Sequence, residues 1–259
     1  MNKYYKSKFY SKPIEVVNIE WEILVIITDN FGREIIYTWY DIAEKNTESI
    51  YINKCLLWGF VKKIPENVLI IWFGWWAFAK YLEDHIKKIN ITWIEIDPVM
   101  LDIAKEELKV KTRDFYITDA KIALEKLIKK QKQFDLVLID VYWWDGEIPE
   151  YFSENKFFES INKVLIQDWT ISINLADYDL NNTEKTKKYN KIHSNLIDTF
   201  WEYYSHILAW ENDRWNVIWI YNLDKKYSAL DFDNIYIEKT KKWDIVYEEK
   251  IVRGTVLEW

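Results

Sequence analysis

Between residues 68 and 140 the chain alternates short apolar runs with amphipathic helical stretches, and few architectures accommodate that pattern. The runs are VLII, ITWIEI, RDFYIT and FDLVLID; AFAKYLEDHIKKI, PVMLDIAKEEL and AKIALEKLIKK lie between them. Strands separated by helices of this length cross over, so neighbouring strands run parallel. Strands that are apolar throughout bury both faces. The expected fold is α/β, a doubly wound sheet with helices on both faces. A helix at 155–165, a strand in TISINLA, a helix near 187–202 and a strand pair in SHILA and NVIWIYN extend it. Ahead of it, IEVVNIE, EILVIIT and REIIYT are separated by turn signals and read as a small antiparallel β unit. Residues 46–63 read as helical. The expected organisation is a β unit over 1–45, a large α/β domain over 46–223 and a polar C-terminal extension over 224–259 whose residues suggest no chemistry.

The first strand-to-helix junction carries unexpected residues. In VLIIWFGWWAFAKYL, residues 68–82, the turn holds Trp72, Trp75 and Trp76 around Gly74. Glycine is the usual residue at such a turn, because it lets backbone amides and the helix N-terminus face a ligand. The chain has 16 Trp and only 5 Gly. Trp21, Trp169 and Trp243 also fall at apparent turn positions, which favour residues tolerant of positive φ. Reading every Trp as Gly brings glycine to about 8% of the chain, close to the ordinary share of about 7%. With 31 Lys against 4 Arg, the coding sequence looks A+T-rich. The expectation is that the source reads UGA as glycine and that many written tryptophans record another translation table. Trp201, in a helical context, is a candidate authentic tryptophan. The competing reading is a Trp-rich protein whose indoles form core or a stacking surface. Literal indoles at 72, 75 and 76 are expected to crowd the cleft at the carboxyl ends of the strands.

Composition narrows the function classes. A net charge of -7 argues against a general nucleic-acid binder, which uses a basic face. The lysines of 185–188 read as solvated surface. His85, His193 and His206 lack metal-ligand spacing, so no metal is expected, and Cys55, the single cysteine, reads as a core residue. The longest apolar run, 68–79, is shorter than the ~20 residues of a membrane helix. The basic N-terminus lacks a signal peptide's apolar segment. A cytoplasmic protein without membrane contact is expected.

In a doubly wound sheet, ligands bind at the carboxyl ends of the strands near the point where strand order reverses. Four such ends are readable: the 72–76 loop, Glu95, Asp119 and Asp140. An acidic residue about 20 positions beyond the loop, as Glu95 is, suits ribose hydroxyls. Asp97, before Pro98, fits a helix N-cap and leaves Glu95 for a ligand. Asp119 reads equally as an N-cap or a ligand contact. Asp140 ends an apolar strand with no cap in view, which favours a functional role. Asp145 reads at least equally as an ordinary turn residue.

The runs VLIIWFGWWAFAKYL, ITWIEIDPVMLDIAKEEL, YITDA, FDLVLIDVYWWDGEIPEYFS and VLIQDWTISIN together resemble the spermidine synthases. These polyamine aminopropyltransferases share the Rossmann-like class I S-adenosylmethionine-dependent methyltransferase fold. The resemblance covers residues 14–222 and requires glycine at most loop tryptophans. It implies that Trp72, Gly74, Trp75 and Trp76 cradle S-adenosylmethionine or its decarboxylated form, that Glu95 holds the ribose, and that Asp119 and Ala120 face the adenine. Asp140 matches the catalytic carboxylate that takes up or orients the proton of the attacking amine. Tyr51, Tyr142 and Asp145 fall on the side of a small-molecule amine such as putrescine, and a homodimer is implied. The pattern departs at Trp75, Ile42 and Asn53, where the family carries an acid, a glutamine and a glutamate, and in the Asp140–Asp145 segment. A methyltransferase of the same fold and a catalytically silent binding protein are the alternative readings.

Overall fold

The computed structural model describes residues 2–28, 32–45, 64–72, 76–112, 114–140, 149–175, 183–200, 203–211 and 214–223. The expected helix at 46–63 and the extension at 224–259 lie outside them.

An antiparallel sheet is built from β1 (Asn2–Tyr5), β2 (Ile14–Ile19), β3 (Glu22–Thr28) and β4 (Glu34–Asp41), paired in chain order. Alternation sets its buried face: Ile14, Val16, Ile23, Val25 and Ile27 point inward, and their strand neighbours stay at least partly exposed except Thr28, buried at the end of β3. Glu20 and Trp21 form the two-residue turn between β2 and β3, with Glu20 at φ 51 and Trp21 63% exposed. The positive φ of this turn falls on Glu20 and not on Trp21, so the backbone does not require glycine at 21.

The second sheet has seven strands: β5 (Asn67–Trp72), β6 (Asn90–Glu95), β7 (Asp114–Ile117), β8 (Phe134–Asp140), β9 (Leu165–Leu175), β10 (Tyr203–Glu211) and β11 (Arg214–Leu223). Their order is β10-β11-β9-β8-β5-β6-β7. The five strands from β9 to β7 run parallel, and the β10–β11 hairpin closes the β9 edge antiparallel. The expected α/β class with a separate N-terminal antiparallel sheet is therefore observed. Order reverses between β5 and β8, which fixes the switch point beside Trp72 and Asp140.

The crossover helices include α1 (Trp76–His85), α2 (Pro98–Glu106) and α3 (Ala120–Lys129); α4 (Asn155–Asn162) and α5 (Thr183–Phe200) follow β8 and β9. Helix α4 stops short of the expected residue 165, because β9 begins at Leu165.

Two cores result, one on each face of the large sheet. On one face, Val68, Ile70, Trp93, Leu136 and Leu138 pack with Trp76 and Phe78 of α1, Met100 and Ile103 of α2, and the inner face of the small sheet. On the other, Leu69, Ile71, Val137, Ile139 and Ile173 pack with α3, α4 and α5. The small sheet is thus part of the main core, with polar ties at its margin. Ser7 donates to Asp97 at 2.5 Å, Tyr40 donates to Asp84 at 2.8 Å, and Lys3 and Tyr5 both reach Glu107. A buried hydrogen bond to a charged carboxylate such as Asp97 contributes about 1.5–3 kcal/mol.

Trp169, expected at a turn, lies inside β9. Pairing with β8 jumps from Phe134–Leu165 to Leu136–Thr170, so Asp135 faces the four residues from Ile166 to Trp169. The sheet absorbs the extra residues as a bulge in which Trp169 does not take a positive φ. There the indole packs against Phe200, ring centroids 5.0 Å apart.

Candidate functional site

Strand alternation places the key side chains on one face. Ile91 and Trp93 of β6 belong to the core that includes the small sheet, so Glu95, two residues on, projects to the same side. Leu136 and Leu138 do the same for Asp140 on β8. On β9, Ile171 and Ile173 face the opposite core, which turns Ser172 and Asn174 toward Asp140. Trp72 pairs with Asp140 on one side and follows Ile71, the partner of Ile94, on the other. Glu95 and Asp140 therefore flank the end of β5, with backbones about 10 Å apart at two strand spacings.

Both carboxylates are 1% exposed, but their surroundings differ. Oε1 of Glu95 accepts the backbone N–H groups of Ile96 at 2.7 Å and Asp97 at 2.9 Å. This corrects the expectation that capping by Asp97 leaves Glu95 uncommitted. The amides of the β6–α2 turn are buried and take the nearest acceptor, while Asp97 caps α2 through Val99 N–H at 3.0 Å. Asp140 accepts Nδ2 of Asn174 at 3.0 Å through Oδ1, and its Oδ2 has no partner among the described residues. Burial pushes the Asp140 carboxyl well above the usual carboxylate range, and the Asn174 hydrogen bond opposes that only in part.

Asp119 caps α3, accepting Lys121 N–H at 2.8 Å, and after burial its charge is what raises the nearby Tyr151 hydroxyl. Ala120 is buried as the first residue of α3. This pair ends β7, one strand beyond Glu95, and Thr118 N–H ties the two ends together by donating to the Glu95 carbonyl at 2.9 Å.

The expected 72–76 loop is narrower than its sequence suggests, since Trp72 ends β5 and Trp76 opens α1. Trp76 is wholly buried in the core, which corrects its placement as a cleft residue; the first turn of α1 packs inward against β5. Its indole Nε1 and that of buried Trp93 find no acceptor among the described residues. Buried tryptophans ordinarily satisfy that N–H, so both positions suit a smaller residue. Ile42, where the family pattern has glutamine, is 45% exposed. Gly74, Trp75, Tyr51, Asn53, Tyr142 and Asp145 lie outside the described residues.

Three residues absent from the sequence reading also meet here. Tyr10 and Tyr37 approach edge-on, ring centroids 6.5 Å apart, and their hydroxyls hydrogen-bond. Burial, followed by Tyr10, Glu95 and Asp140, raises the Tyr37 hydroxyl, so this residue of the small sheet feels both carboxylates. Nothing local in the sequence marks these tyrosines. Asn174 left a readable sign, a polar residue in an otherwise apolar strand. Among the described residues no group of three or more His, Cys, Asp or Glu could hold a metal ion, and no helix is long and apolar enough to cross a membrane.

A probable spermidine synthase from Corynebacterium glutamicum superposes with a TM-score of 0.70 at 15% identity, covering 99% of this chain and 90% of that one. The chain has a spermidine synthase-like fold. No protein-family profile matches it. Among curated proteins, an eEF1A lysine and N-terminal methyltransferase homolog of Drosophila melanogaster is 26% identical over 140 residues, 51% of this chain and 20% of that protein. The polyamine aminopropyltransferase of Sulfurisphaera tokodaii is 28% identical over 149 residues, 54% of this chain and 49% of that protein. The matches thus span a fifth to a half of these relatives' lengths, and both relatives are transferases. The strand order of this fold brings the Glu95 and Asp140 ends to either side of β5.

The pKa of Asp140 is higher folded than unfolded, so protonation favours the native state. Its contribution to stability is full below the usual aspartate value of 3.8 and is lost as pH rises through the folded value. Asp140→Asn is expected to raise the melting temperature at pH 7, by the equivalent of about 1–3 kcal/mol, and to flatten the fall in stability above pH 4. Thermal unfolding across pH checks this; an equal or lower melting temperature at pH 7 contradicts it.

Proposed function

We propose that the chain is a spermidine synthase-like transferase that binds decarboxylated S-adenosylmethionine or S-adenosylmethionine and transfers an aminopropyl group to an amine such as putrescine. The observation that carries the proposal is the buried, under-partnered Asp140 at the switch point, on the same face as Glu95. A protonated amine has no lone pair to attack with. A carboxylate with a raised pKa, within reach of that amine, takes the proton as nitrogen attacks the aminopropyl carbon; the carbon–sulfur bond breaks and methylthioadenosine leaves. In this reading Glu95, oriented by the two turn amides, accepts the ribose hydroxyls, and Asp119 with Ala120 faces the adenine. Tyr51, Tyr142 and Asp145 serve the amine.

The reading includes glycine at 72, 75 and 76, which opens backbone amides to the nucleoside. The unpartnered indole N–H groups of Trp76 and Trp93 support a smaller residue at those two positions. Peptides of the natural protein spanning 68–80 should have masses with glycine at 72, 75 and 76. Tryptophan masses there contradict that part of the reading.

The methyltransferase named among the relatives supports a second reading, methyl transfer from S-adenosylmethionine to an unidentified acceptor. Protein carrying glycine at the three positions, given putrescine and decarboxylated S-adenosylmethionine, is expected to produce spermidine and methylthioadenosine in equal amounts. S-adenosylhomocysteine formed from S-adenosylmethionine, without aminopropyl transfer, would favour the methyltransferase. Turnover of neither donor would contradict both.

A further inference from the structure

Asn174 lies beside Asp140 on a strand with little freedom to move. Strand β9 pairs with β8 on one side, where Ile139 faces Ile173, and with β11 on the other, where Asn174 faces Ile218. Asn174 is 3% exposed, and its amide donates to Asp140 Oδ1 at 3.0 Å. The two oxygens of Asp140 are therefore inequivalent. Oδ1 is tied into the sheet; Oδ2 is left with no partner among the described residues. Rotating the buried carboxyl would break its hydrogen bond to Asn174. Among the described titratable groups, Tyr37 of β4 is raised first by burial and in smaller part by the Asp140 charge, and Glu95 sits one strand beyond β5.

We propose that Asn174 is a positioning residue that locks the Asp140 carboxylate so that Oδ2 is the oxygen that receives the amine's proton. This rests on the reading of Asp140 as the proton acceptor. The amide has a second effect, because donation from Asn174 favours the ionised carboxylate and keeps Asp140 available as a base at lower pH. Asn174 touches no reacting atom and acts through Asp140.

Asn174→Leu removes the donor at similar volume. The acid limb of the pH profile of kcat is expected to move up by about one pH unit, with kcat at pH 7 falling about tenfold, the effect of losing one hydrogen bond to a charged group. KM for the nucleoside should change less than about twofold, since ribose contacts are untouched. Asn174→Gln keeps an amide on a longer stem and should restore most of both quantities. Titration of the Asp140 carboxyl carbon by NMR needs no turnover and should show the same upward shift in Asn174→Leu. If Asn174→Leu does not fold, Asn174→Ser carries the same measurements. An unshifted carboxyl titration, or a fall in kcat with the acid limb in place, overturns the inference. A shifted titration in a protein that turns over neither donor upholds the Asn174–Asp140 coupling and sinks the proposed activity instead.

Discussion

The carboxyl end of the large sheet depends on holding several acids out of water within a few strand spacings. Removing a charge from solvent costs several kcal/mol unless hydrogen bonds replace its hydration. Asp97 receives the Ser7 hydroxyl and the Val99 amide, and Glu95 receives two turn amides. Those bonds stabilise the turn, the start of α2 and the seat of the N-terminal segment together. Asp140 has only the Asn174 amide recorded among the described residues, and its other oxygen is left over. Such bonds hold the fold together at Asp97, and at Glu95 they also orient the side chain proposed to meet the ribose. A deficit at the switch point marks an acid retained for another purpose.

The N-terminal sheet is joined to this arrangement. Its inner face completes the core over β5, β6 and β8, and Tyr37, packed against that core, feels the charges of Glu95 and Asp140. The apolar face of a sheet is stable when buried against another element, and here the large sheet supplies it. The ties from Lys3 and Tyr5 to Glu107, and from Tyr40 to Asp84, set the orientation of the small sheet.

The fold was legible because its signal is periodic. The apolar runs at 68–71 and 134–140 each became a parallel strand, and Asp97-Pro98 capped a helix as its chemistry requires. Glu95 and Asp140 were legible as strand-end acids, since an ionisable residue closing an apolar run stands out. What the residues could not convey was which groups meet across the sheet. Asn174 lies 34 positions from Asp140, and Tyr37 belongs to another sheet, so neither left a local pattern. Glu95 was misjudged as uncommitted because backbone amides, its actual partners, have no letter in a sequence. Trp169 showed its turn-like neighbours but not the bulge in which β9 accommodates it. Trp76 and Trp93 raise a different matter: their side chains fill core space yet strand two indole N–H groups, the outcome expected where a large residue is written at a small residue's position.

The central claim is that the ends of β5, β6 and β8 bind an adenosyl nucleoside, with Glu95 on the ribose. Calorimetric titration of S-adenosylhomocysteine into the protein with glycine at 72, 75 and 76, and into the same protein bearing Glu95→Gln, tests it most directly. One nucleoside bound per chain, weakened about tenfold or more by Glu95→Gln, is the predicted result, as for loss of a charged hydrogen-bond acceptor. Absence of binding, or binding that Glu95→Gln leaves unchanged, would contradict it.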